Sequence, residues 1–330
     1  MNDSHPHVVI IGTGQLGSRH LQGLKRINRE IDVTVVEPDP FAIETAKKRF
    51  DEMPYNPLVQ TVKYFTDISQ LSGHINVAII ATNADIRRNI VEQTLKKTNV
   101  DNMILEKVAF QSIDDFESVI NLLKRKNVKS WVNCTRRMYP IYKEIKKELE
   151  HESRIFFHVD GKNWGLACNS IHRIDLFAYL TGDASIELDG SEMDKEIYKS
   201  KRAGFVEFGG YLTGKSSRGD SLSLVDYKGI RGLSSSFHIV CDNSEFLIHE
   251  LDGIVMHARK ENAWEMKKKS IKLPYQSELT HLAVQQILDE GTSDLTKIEE
   301  SYMLHKPMLE AFNRHLEKVS KKHYKKCPIT

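Results

Sequence analysis

The stretch "VVIIGTGQLGSRH", residues 8–20, sets Gly12, Gly14 and Gly17 at G-x-G-x-x-G spacing, behind a run of four aliphatic residues and ahead of a helical pattern. Each glycine at this spacing has a mechanical job. The first permits a tight turn, the second lets backbone approach a pyrophosphate, and the third lets a helix pack closely on a strand. The helix N-terminus then presents unpaired N–H groups to negative charge. The loop formed by Gly12, Gly14, Gln15, Leu16 and Gly17 is therefore a candidate dinucleotide-binding turn, and its place between a strand and a helix gives the pattern a weight it lacks alone.

Downstream, "VTVVEPDP" (33–40) ends a second strand on Glu37, where a carboxylate can meet the ribose hydroxyls of a dinucleotide. The same carboxylate repels a 2′-phosphate, and Pro38 and Asp39 follow with no arginine. NAD is the expected cofactor, with NADP disfavoured. Lys47 and Lys48 fall further along the next helix and are read as solvated.

Working outward, strand-like runs recur at Val8–Ile11, Val33–Val36, Val59–Phe65, Val77–Ala81, Met103–Leu105 and Val128–Val132. Helical segments are expected near 15–27, 39–50, 85–97 and 112–126. This alternation predicts an α/β fold whose first domain is a Rossmann-type, doubly wound parallel sheet. After Pro140 the texture changes. A charged helix, "IYKEIKKELE", is followed by a strand at 154–164, a helix at 167–181 and a series of strands to about 273. That predicts an α+β domain with a large, mostly antiparallel sheet, closed by helices near 276–290 and 296–319. The expected domains are 1–135, binding NAD, and 136–330, binding substrate and serving oligomerisation, with the C-terminal helices free to pack back on the first.

At 330 residues, 40% hydrophobic and 28% charged, the chain reads as globular with two cores. Its net charge of +2 argues against a nucleic-acid partner, and the basic run 318–327 is read as a solvated helix end. The apolar runs are too short for a membrane span, and the N-terminal stretch has no basic leader region, so a cytoplasmic enzyme is expected. The four cysteines, at 134, 168, 241 and 327, form no C-x-x-C pair, which argues against a disulfide framework and a zinc ribbon.

A second stretch concentrates chemistry. In "GLACNSIHRID" (165–175) a helix would put Cys168, His172 and Asp175 on one face, at i, i+4 and i+7. That face is either a buried polar network or a site. Asp175 can reach back to His172 and hold its tautomer, or anchor an arginine elsewhere. Cys168 and His172 could be half of a metal site, but zinc requires three or four ligands and no matching pair stands at ligand spacing, so no metal is expected. Trp164 and Asn169, at the helix entrance, suit a stacking wall and a hydroxyl partner for a sugar ring, or packing and a cap. Arg136 and Arg137 suit a substrate phosphate or carboxylate, or an ion pair.

Together with "VAIIATNADIRRNIVEQTLKK" (77–97), "NMILEKVAF" (102–110) and "NSIHRIDLFAYLTG" (169–182), these features resemble the Gfo/Idh/MocA family of sugar and inositol oxidoreductases. The resemblance spans most of the chain. It implies that Thr82 and Asn83 end a strand beside the cofactor and that Glu106-Lys107 matches the family's Glu-Lys-Pro. There the lysine contacts nicotinamide ribose and the reacting oxygen, and His172 matches the catalytic histidine. It also brings Arg137 near the substrate, with Trp164, Cys168 and Asn169 around it. Three positions depart from the pattern. Val108 replaces the proline, Cys168 stands where aspartate or asparagine is usual, and Arg87 stands where histidine is common.

The chemistry fits those residue types. Hydride transfer at a carbinol needs a group to exchange the hydroxyl proton, and histidine titrates near neutral pH. Lys107 would stabilise charge developing on oxygen. The leading expectation is an NAD-dependent oxidoreductase acting on a ring carbinol or ketone of a sugar or nucleotide sugar, as a homodimer or homotetramer. The alternatives are transient use of NAD for elimination or glycoside cleavage, and a non-catalytic NAD-binding sensor.

Overall fold

The computed structural model describes residues 5–330. Contacts divide the chain into two units. The first comprises residues up to Phe110, Asp114–Thr135 and Pro274–Glu299; the second comprises Gln111–Ile113, Arg136–Leu273 and Glu300–Thr330.

The first unit alternates β1 (His7–Ile11), α1 (Gln15–Leu24), β2 (Ile31–Val36), α2 (Pro40–Asp51), β3 (Val59–Phe65), β4 (His74–Ile80), α3 (Ala84–Lys97), β5 (Asn99–Leu105), α4 (Ile113–Arg125) and β6 (Lys129–Val132). β1 and β4 bury four consecutive residues each, Val8–Ile11 and Val77–Ile80, because helices cover both faces of a parallel sheet. Helix starts and faces follow from local chemistry. Asp39 caps α2 by accepting the Phe41 N–H at 2.9 Å, with Pro40 at the first helical position. α4 buries Phe116, Val119, Ile120 and Leu123, the i, i+3, i+4, i+7 stripe of an amphipathic helix.

The second unit opens with α5 (Pro140–Glu148), β7 (Phe156–Gly161) and α6 (Leu166–Thr181). β8 (Ile186–Asp189), β9 (Tyr198–Lys199), β10 (Val206–Glu207), β11 (Gly210–Ser216), β12 (Ser221–Asp226), β13 (Ser236–Val240), β14 (Ser244–His249), β15 (Ile254–Arg259) and β16 (Lys267–Ser270) follow. Eight of these strands form one sheet in the order β16-β15-β14-β13-β7-β12-β11-β8, antiparallel throughout except for the β7–β12 pair. Alternation decides its faces. Phe157 and Val159 of β7 are buried with Phe237 and Phe177, while Phe156, His158 and Asp160 lie on the other, open face.

The chain then returns to the first unit with α7 (Thr280–Glu290) and β17 (Thr296–Lys297), before α8 (Ile298–Ser320). β17 pairs antiparallel with β6, so the seven-stranded order is β17-β6-β5-β4-β1-β2-β3. The helix expected from 296 thus begins two residues later, because Thr296 and Lys297 cover the otherwise open β6 edge. The architecture is the α/β arrangement expected: a parallel sheet, then a larger, mostly antiparallel one. Among the described residues no helix is long and apolar enough to cross a membrane.

Candidate active site

The glycine turn of the first unit shows why each position is glycine. Gly12 has φ +89°, in the left-handed region, and its N–H bonds to the Val36 carbonyl at 2.9 Å. A Cβ on Gly17 would sit 1.8 Å from the Gly12 carbonyl oxygen, so only glycine lets α1 pack this closely on the turn. A Cβ on Gly14 would meet nothing within 4 Å. Gly12 and Gly14 line a cavity of about 350 Å³ with Glu37, Thr82 and Asn83. Gln15 is exposed and tied to Arg49 through its side-chain oxygen at 2.7 Å, and Leu16 is half-buried at the start of α1.

Glu37 is aimed by backbone. The Thr13 N–H donates to Oε2 at 2.6 Å and the Asp39 N–H to Oε1 at 3.1 Å, holding the carboxylate at the cavity edge. Thr82 Oγ1 is buried at the same cavity without a hydrogen-bond partner, and Asn83 is exposed as the first cap of α3. Residues that a bound dinucleotide needs are therefore present: a turn that admits no side chain at Gly17, an open approach at Gly14, an oriented carboxylate and an unsatisfied hydroxyl.

At the end of β5, Glu106 is buried and Lys107 half-buried, and the Lys107–Val108 peptide is cis. Glu106 accepts from His20 Nε2 at 2.9 Å and from the Asn133 amide. His20 Nδ1 meets Thr280 Oγ1 at 2.9 Å, and Asn133 also reaches Gln276 at 3.0 Å. Burial alone would raise the Glu106 carboxyl. The hydrogen bond and charge of His20, with Asn133 and Arg87, outweigh it and hold that carboxyl below the usual range. Arg87, the departure from histidine, is buried and binds three carbonyls: Thr82, Val108 and Ala109. It ties the Thr82 loop to the segment after Lys107. Sequence reading missed His20, Asn133, Gln276, Thr280 and this use of Arg87. Their partners are remote in sequence, and only a buried carboxylate's need for donors could have signalled them.

In the second unit α6 carries the other expected residues. Twelve of its sixteen residues are buried, and the four that are not are Cys168, Asn169, His172 and Tyr179. An all-round buried helix with one open polar stripe is what a site helix requires. Its N-terminus is fixed by two buried carboxylates that local sequence does not reveal. Asp226 accepts the N–H groups of Gly165 and Leu166 at 2.9 and 3.2 Å, and Glu207 those of Ala167 and Cys168 at 3.0 and 3.1 Å. The four N–H groups that open the helix are thereby satisfied, so this helix end offers no free anion site.

Asp175 takes the arginine partner. Arg137 Nε and Nη2 bind its two oxygens, each at 2.9 Å, and Nη2 also reaches Glu300 at 2.7 Å. Burial opposes the Arg137 charge, but Asp175 and Glu300 outweigh it and hold the guanidinium above its usual range. Of the two roles open to Arg137, the ion pair is the one present in this structure. Trp164 is buried, and its indole N–H donates to the Val225 carbonyl at 2.7 Å. Asn169 donates to the Trp164 carbonyl at 2.7 Å, and its side chain remains on the open stripe. None of the four cysteines is in a disulfide, and among the described residues no three His, Cys, Asp or Glu side chains gather to hold a metal ion.

Residues 7–134 match the model of the Gfo/Idh/MocA family, described as an oxidoreductase family with an NAD-binding Rossmann fold. Over that span, with β1–β6 in the Rossmann order, the first unit is similar to the NAD-binding domain of the Gfo/Idh/MocA oxidoreductases. No curated protein matches the sequence. Solved structures match along nearly the whole length. A Gfo/Idh/MocA family oxidoreductase from Vibrio cholerae is 14% identical with a TM-score of 0.70, covering 96% of this chain and 100% of that one. UDP-N-acetylglucosamine 3-dehydrogenase from Acidithiobacillus ferrooxidans is 12% identical with a TM-score of 0.67, covering 93% and 96%. A 3-ketoreductase from Actinomadura kijaniata, in complex with TDP-benzene and NADP, is 12% identical with a TM-score of 0.70, again covering 93% and 96%. At these identities the likeness is one of fold.

Proposed function

We propose that this oxidoreductase moves a hydride between NAD and a ring carbinol or ketone of a sugar or nucleotide sugar. The observation that carries the reading is the single open stripe of α6, where Cys168, Asn169 and His172 stand on an otherwise buried helix. In the first unit, Gly12 and Gly14 admit the pyrophosphate, Glu37 receives the ribose hydroxyls and Thr82 uses its spare hydroxyl. NAD, when bound, supplies the hydride acceptor. His172 takes the proton of the substrate hydroxyl in oxidation and returns it in reduction, a role worth about 10² to 10⁴ in rate. Lys107 holds its charge toward the reacting oxygen, supported by the segment that Arg87 binds. Asp175 is a positioning residue: held by Arg137, it fixes the turn of α6 that follows His172.

NAD is favoured over NADP because Glu37 would face a 2′-phosphate with like charge. The sugar class draws support from the fold shared with the UDP-N-acetylglucosamine 3-dehydrogenase and the 3-ketoreductase. The test is absorbance of the reduced nicotinamide with NAD and a panel of sugars and nucleotide sugars. Turnover by wild type and its loss in His172→Ala, with NAD binding unchanged, is the expected result. No reduced cofactor with any member of the panel, while product forms, would replace this reading with transient use of NAD.

A further inference from the structure

On α6, one residue past His172, Arg173 is only 5% exposed, yet it forms no ion pair within its unit. Its guanidinium lies 4.4 Å over the Trp164 ring and 5.9 Å from that of Phe237. A guanidinium presents five N–H donors. Arg173 uses Nη1 for one long bond, 3.3 Å to the Asn169 carbonyl, and its buried Nε has no partner. The carboxylate in its surroundings is Glu250, and Glu250 is already engaged. It receives Arg136 through Nε at 2.9 Å and Nη2 at 2.6 Å, and the Tyr142 hydroxyl at 2.7 Å. Two guanidiniums thus share one carboxylate, leaving one positive charge uncompensated. Burial, and then the charge of Arg136, pull Arg173 down to about 9, with Glu250, Tyr142 and Cys168 acting the other way.

A buried cation without a counter-ion is costly, and buried charges are ordinarily paired. Arg173 adjoins the open stripe: its Nη1 donates to the main-chain carbonyl of Asn169, which with Cys168 and His172 holds open positions of α6. We infer that the substrate bears an anionic group, a carboxylate or a phosphate, that pairs with the unused donors of Arg173, so that the enzyme acts on an acidic sugar. The planar fork of arginine suits either group, since both offer two oxygens at matching spacing. This inference rests on the function proposed above, because it takes the ligand of the stripe to be the substrate.

The test uses the full chain saturated with NAD and titrates D-glucose 6-phosphate, D-glucuronate and D-glucose at matched ionic strength by calorimetry. At least one acidic sugar should bind about tenfold or more tightly than glucose, and the acid that does identifies the group as phosphate or carboxylate. In Arg173→Met that advantage should vanish while NAD affinity stays within about twofold. Because Arg173 is buried, wild type alone also carries a test: the acid should raise its melting temperature beyond glucose and beyond sodium chloride of equal ionic strength. Equal binding of all three sugars by wild type, or an acid preference retained in folded Arg173→Met, would overturn the inference. Tight binding of an acidic sugar, with no reduction of NAD by any acidic sugar, would uphold the pairing and refute the oxidoreductase reading.

Discussion

Replacing Gly17 and Gly14 by alanine, one at a time, should separate packing from binding. An alanine Cβ at Gly17 would lie 1.8 Å from the Gly12 oxygen and 2.8 Å from its carbonyl carbon, both backbone atoms that cannot rotate away. The oxygen contact must open to at least 3.0 Å, so α1 and the turn have to separate by roughly 1 Å. Overpacking of this kind costs about 1–3 kcal/mol, a fall of several degrees in melting temperature for the first unit. The shift also moves Gly12, which lines the cavity, so NAD affinity should fall roughly tenfold or more. Gly14→Ala meets no atom within 4 Å, so melting should stay within about 0.5 kcal/mol of wild type. The new methyl points into open space beside that cavity and should weaken NAD alone. Thermal melts paired with NAD calorimetry check both. Wild-type melting and NAD affinity in Gly17→Ala would refute the packing argument, and unchanged affinity in Gly14→Ala would refute the pyrophosphate approach.

Glu37→Ser should narrow the preference for NAD over NADP, but both affinities should drop, since the Thr13 and Asp39 N–H groups lose their acceptor; paired calorimetric titrations read the ratio. Lys107→Met should nearly abolish turnover with unchanged melting, and activity within a few-fold of wild type would make Lys107 a bystander. Arg137→Met should cost about 3–5 kcal/mol by stranding the buried Asp175 carboxylate, and Arg137→Met/Asp175→Leu should recover part of it, as denaturant midpoints would show. Glu106 titrates below the usual carboxyl range, so its contribution to stability is complete above about pH 4.3 and drains away as pH falls through its folded value. Glu106→Gln should therefore flatten the acid limb of the stability profile, and an unchanged limb would contradict the His20 pairing.

The parts of this fold that a reader of the sequence can see are those set by short-range periodicity. Val8–Ile11 and the glycines behind it encode strand, turn and helix within thirteen residues, and the β-branched runs of β2 and β4 announce a sheet buried on both faces. β17 was hidden because two residues carry no periodicity; what makes Thr296 and Lys297 a strand is the free edge of β6. The same limit applies at the site. The stripe of α6 follows from helical spacing, so Cys168, Asn169 and His172 could be picked out directly. Asp175 and Arg137 were visible as chemistry but not as a pair, since 38 residues separate them. Glu207 and Asp226, 39 to 61 residues from the N–H groups they satisfy, gave no signal at all.

The burial of α6 constrains how this enzyme could acquire a new specificity. Of its sixteen positions, only Cys168, Asn169, His172 and Tyr179 can change without disturbing a packed interior. On the proposed function His172 exchanges the proton, so variation that reaches the chemistry passes chiefly through Cys168 and Asn169, and other substitutions along the helix should first appear as lost yield of folded protein. Laboratory evolution toward another substrate would find little room on this helix, and should gather its productive changes at those two positions and on the loops.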